Sequence, residues 1–125
     1  MSLAEMSLTD VHGRLSSAVI LYATILGAWG IYNFVRRREV SEGYWGALVI
    51  GELLILAQGL VGGLLWAQGN RPDRGVHVLY GVVTALGIPA VYVYTRGREG
   101  RAENLAYGSA VLIVALLAYR AVVTA

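Results

Sequence analysis

The chain contains no cysteine and no lysine, and only two histidines. Without a thiol there can be no disulfide, no thiolate zinc site and no thiol catalysis. All 10 basic residues are arginines, and most gather in short segments instead of along one face. The formal net charge is only +2. A nucleic-acid partner, which needs a broad basic surface, is therefore not expected. The first dozen residues are polar and lack a basic n-region, so no cleavable signal peptide is expected. Low-complexity tracts and convincing internal repeats are also missing.

Apolar sequence is what the chain has in excess. Of its 125 residues, 57% are hydrophobic, and the mean hydropathy is +0.60. A soluble domain needs a more polar surface than this to face water. Four apolar runs cover residues 15–34, 44–67, 76–94 and 105–123. Each is close to the ~20 residues a helix needs to cross ~30 Å of hydrocarbon. In lipid a segment must satisfy its own backbone groups, so each run should be helical. Connectors at 35–43, 68–75 and 95–104 are short enough to force neighbours antiparallel. The expectation is an all-α membrane protein, one domain over 1–125, folded as an up-down antiparallel bundle of four transmembrane helices. The helices are placed at about 13–36, 43–68, 75–95 and 103–124.

Arginine placement sets the expected direction. The first connector carries Arg36, Arg37 and Arg38, and the third Arg96, Arg98 and Arg101. The second has Arg71 and Arg74 with Asp73 between them. The positive-inside rule then puts connectors one and three in the cytoplasm and both termini outside, in a bacterial or archaeal plasma membrane. Trp29, Tyr32, Tyr44, Trp45, Trp66, Tyr92 and Tyr94 lie mostly near segment ends, where interfacial anchors belong. Glycines punctuate the runs and allow close helix approach or room for a flat ligand. Pro89 inside the third run frees a carbonyl and should bend that helix.

The polar residues within these runs need an explanation. His12 and His77 begin the first and third helices, which run in the same direction, so both imidazoles belong at one end and at similar depth. In a bundle with consecutive neighbours these helices are diagonal, and two imidazoles facing each other there can hold a heme iron axially. The alternative is a pair of interfacial histidines, each capping a helix or meeting headgroups. Gln58 lies about 13 Å below the end of the second helix and could bond a neighbouring backbone across the bundle. Glu52 is deeper. A carboxyl there pays heavily to ionise, and it should be protonated, paired or facing a wet cavity. Arg120 stands near the end where both histidines begin, and could snorkel to headgroups or pair with a heme propionate, as could Arg14, Arg71 and Arg74. Tyr80 is one turn beyond His77 and could line the same pocket.

Together, a histidine opening a helix, Gln58-Gly59-Leu60-Val61-Gly62-Gly63 in the next, a short loop, and a second histidine opening the third resemble heme A synthase. The resemblance covers three helices of one of that family's two four-helix halves, roughly His12 to Arg96. In that family paired histidines hold a heme at the outer side of each half. The resemblance therefore implies His12 and His77 as ligands of a heme b, with Gln58, Gly59, Gly62 and Gly63 as helix packing beside it. It also implies a homodimer rebuilding the family's double bundle. Thr9 stands where the family has a glutamate three residues before a ligand histidine, and the family's outer-loop cysteine pair is absent. The implied role is heme binding or electron transfer beside a respiratory or redox membrane partner, not methyl-group oxidation. The competing functions are a heme-free structural or assembly subunit of a larger membrane complex and a small dimeric transporter, the latter prompted by Glu52.

Overall fold

The computed structural model describes residues 7–69 and 75–124. Among them are four helices: α1 (Leu8–Val35), α2 (Glu42–Ala67), α3 (Gly75–Thr95) and α4 (Arg101–Thr124). All four are long and apolar enough to cross a membrane. They form the expected all-α bundle, and the chain is a multi-pass membrane protein.

The helix ends follow local chemistry. α1 starts at Leu8, several residues before the apolar run, because Ser7 and Asp10 make a capping box. The Ser7 hydroxyl accepts from the Asp10 N–H, and the Asp10 carboxylate accepts from the Ser7 N–H. His12 is consequently in the second turn of α1, not at its start. Ser41 caps α2 by accepting from the Tyr44 N–H at 3.0 Å. At the other end of α1 the Arg38 N–H bonds the Asn33 carbonyl and the Arg37 N–H bonds that of Phe34. This is a Schellman closure, and it holds Arg37 at φ 59°. α3 closes the same way, with Arg96 at φ 55° and Gly97 at φ 73°.

Each helix packs on its chain neighbours, and α4 closes the ring against α1. Among the described residues α1 and α3 make no backbone-level contact, nor do α2 and α4, so both pairs are diagonal. The α1–α4 seam is the tightest. A Cβ on Gly108 would lie 3.0 Å from the Ile31 nitrogen and 3.1 Å from the Gly27 carbonyl oxygen, so the two backbones touch. Between α2 and α3 contact is sparse.

In lipid, packing and interhelical hydrogen bonds replace the hydrophobic effect as the adhesive. Tyr22 donates to the Ala47 carbonyl at 2.6 Å and Tyr44 to that of Leu26 at 3.0 Å, tying α2 to α1. Tyr44 is fully buried, with its ring edge-on to Trp29, so it is a core residue and not an interfacial anchor. The arginine-rich end is also tied together. Val40 donates its N–H to the Glu99 carbonyl, Asn104 its amide to that of Arg38, and Arg101 its guanidinium to that of Phe34. Leu21, Leu60, Val93 and many other large apolar side chains point outward, as a lipid-facing surface requires.

Candidate cofactor site

At the end opposite the arginine-rich connectors, side chains or carbonyls from all four helices converge. His12 is the fifth residue of α1 and His77 the third of α3. Although these helices are diagonal, the two imidazoles meet across the bundle, with ring centroids 6.1 Å apart and planes at 61°.

Each ring is held by a different device. His77 Nδ1 lies 2.7 Å from the Ala121 carbonyl oxygen of α4. A carbonyl only accepts, so Nδ1 carries the proton in the neutral ring and Nε2 keeps its lone pair. Around His12 it is the backbone that is gripped. The Gln58 amide of α2 donates to the His12 carbonyl at 2.9 Å and to the Ser16 hydroxyl, which itself donates to the same carbonyl. Gly62, one turn beyond Gln58, lies against the ring. A Cβ there would sit 3.2 Å from His12 Cε1. His12 Nδ1 and Gln58 Oε1 are both buried without a hydrogen-bond partner, an arrangement that folded proteins rarely leave unexplained.

The candidate residues divide accordingly. His12, His77, Gln58 and Gly62 come together. Gly59 and Gly63 do not, because they lie on the outer face of α2, where an added Cβ meets nothing within 4 Å. Tyr80 is half-buried one turn after His77, and Arg120 is exposed beside Ala121 in α4. Arg14 is exposed one turn from the capping box, while Arg71 and Arg74 lie outside the described residues. Ser16 and the Ala121 carbonyl were not foreseen. Ser16 had a signal, since it stands one turn after His12 on the same face. A backbone acceptor such as Ala121 has none.

Among the described residues no cluster of three or more histidine, cysteine, aspartate or glutamate side chains is present, and the histidine pair is what they bring together at this end. No family model, no curated protein and no solved structure matches this chain. The fold and site thus define a class, an integral membrane four-helix bundle with an imidazole pair across its diagonal at one end.

Proposed function

We propose that this membrane protein binds heme b at the histidine end of the bundle, with His12 and His77 as axial ligands. Its role would be to pass electrons or handle heme beside a respiratory or redox partner. The observation that carries the proposal is the 6.1 Å between the imidazole centroids. Two metal–nitrogen bonds of about 2 Å, plus about 1 Å from each nitrogen to its ring centre, span about 6 Å. The free lone pair on His77 Nε2 and the partnerless His12 Nδ1 fit the same donor set. A bound heme would supply a one-electron iron couple whose potential responds to the axial ligands, burial and hydrogen bonds.

The chain's own residues would position those ligands. The Ala121 carbonyl fixes the His77 tautomer and ring angle, as outer partners of metal-bound histidines commonly do. Gln58 and Ser16 immobilise the turn that carries His12, and Gly62 leaves the space its ring occupies. Arg120, next in sequence to Ala121, is the proposed partner of a propionate. By the positive-inside rule this end faces out.

The test is the absorption spectrum of wild type, His12→Ala and His77→Ala expressed with ample heme. Wild type should show a low-spin bis-imidazole spectrum, and each variant should lose it as a coordination position opens. Arg120→Ala should keep the spectrum but release heme faster. A wild type without a Soret band defeats the proposal and favours a heme-free structural subunit. An unchanged low-spin spectrum in both histidine variants moves the ligands elsewhere.

A further inference from the structure

The loosest seam of the bundle, between α2 and α3, opens into a groove of ≈ 320 Å³ whose exposed lining is almost entirely carbon. Trp45, Val49 and Glu52 line it from α2, and Ile88, Pro89 and Tyr92 from α3. Glu52 is ten residues into a 26-residue helix, about 15 Å from the end and so near mid-bilayer. It is the one acidic residue in the four helices outside their first turns. Its Oε1 is buried and has no hydrogen-bond partner. Glu52 thus lines the groove with carbon, while its Oε1 lies buried behind that wall with nothing to bond.

Complementary chemistry is narrowly defined. A bare charge at this depth is costly, which leaves the protonated carboxyl, whose O–H seeks an acceptor. The occupant must reach the groove from the lipid phase, fill carbon-lined walls and bring a carbonyl to Glu52. At the end nearer the arginine connectors, Trp45 is braced by Tyr92 and Tyr107, with ring centroids 5.6 Å and 5.9 Å away, and presents a rigid aromatic wall suited to a flat ring. The run from Trp45 to Glu52 is about 10 Å at the helical rise. That is long enough for one substituted ring, and the volume falls within the ordinary small-ligand range.

We infer that this groove is a binding site for a membrane-soluble quinone, whose ring lies along Trp45 and whose carbonyl oxygen accepts a hydrogen bond from a Glu52 carboxyl turned into the groove. The site is separate from the histidine pair and does not depend on heme.

Decylubiquinone titrated into the protein in phosphatidylcholine nanodiscs tests it, with two readouts. Tryptophan fluorescence should fall in a saturable step that Trp45→Phe removes, since Trp29 and Trp66 do not line the groove. The same quinone should protect Glu52 from labelling by dicyclohexylcarbodiimide, followed by peptide mass spectrometry on unmutated protein. Glu52→Leu should weaken the saturable step about tenfold, the worth of one hydrogen bond at the upper end of its usual range. Glu52→Gln, which keeps a donor, should stay within about threefold. Linear quenching identical in wild type and Trp45→Phe, with no protection of Glu52, overturns the proposal and leaves the groove to lipid chains. An unchanged midpoint in Glu52→Leu overturns the role of the carboxyl. Labelling of Glu52 that appears only after dissociation into monomers assigns the groove to a partner helix and also overturns the proposal.

Discussion

Replacing Gly108 with alanine probes the contact on which the bundle closes. The added Cβ would lie 3.0 Å from the Ile31 nitrogen, 3.1 Å from the Gly27 oxygen and 3.2 Å from the Gly30 carbonyl carbon. All three are backbone atoms of α1, so no side chain can turn aside. Contacts this close are tighter than ordinary van der Waals separation, so α1 and α4 must part by a few tenths of an ångström. Overpacking of this kind costs about 1–3 kcal/mol. Alanine's better helix propensity returns up to about 1 kcal/mol. The balance is a destabilisation of about 1–2 kcal/mol, on the order of 5 °C in melting midpoint. Gly59→Ala is the matched control, because its Cβ meets nothing and only the propensity gain remains. The assay is thermal aggregation of a fluorescent fusion in mild detergent, followed by size exclusion. A Gly108→Ala protein melting at or above wild type would refute backbone-to-backbone contact between α1 and α4.

Other expectations are more local. Gly62→Ala should displace the His12 ring by a few tenths of an ångström, and in the heme-loaded protein weaken or broaden the low-spin spectrum with little loss of stability. An unaltered spectrum would place His12 outside the ligand set. Ser7→Ala should remove the capping box and lower stability by about 1 kcal/mol, read from the same melting assay, and amide exchange should rise first in the turn carrying His12. A reporter fused after Ala125 should read out as extracytoplasmic; a cytoplasmic readout would reverse the bundle and the side on which heme is proposed.

Much of the architecture was legible in the residues alone, because a bilayer leaves a chain few options. Four apolar runs of spanning length must be helices, and short connectors make consecutive helices antiparallel neighbours. That logic also brings His12 and His77 to the same end. The capping box of Ser7 and Asp10 is equally local, but a reading by hydropathy does not register it. Read from hydropathy, α1 starts near residue 13 and so about five residues late, whereas the helix begins at Leu8 and carries His12 in its second turn.

What only the tertiary structure decided was which face each residue presents. Apolar residues ring these helices because lipid accepts them on every side, so no hydrophobic stripe marks the interior. Gly59, Gly62 and Gly63 look alike in sequence, but the rotation of α2 turns only Gly62 toward His12. The same rotation buries Tyr44 and sends the Gln58 amide to the His12 carbonyl. The His77 bond to Ala121 joins α3 to the end of α4 through a backbone oxygen that no side-chain pattern encodes. Whether two imidazoles on diagonal helices touch depends on helix rotation and on how closely the backbones around them approach. Beside His12 that room is left by Gly62 of α2, where an added Cβ would sit 3.2 Å from the ring.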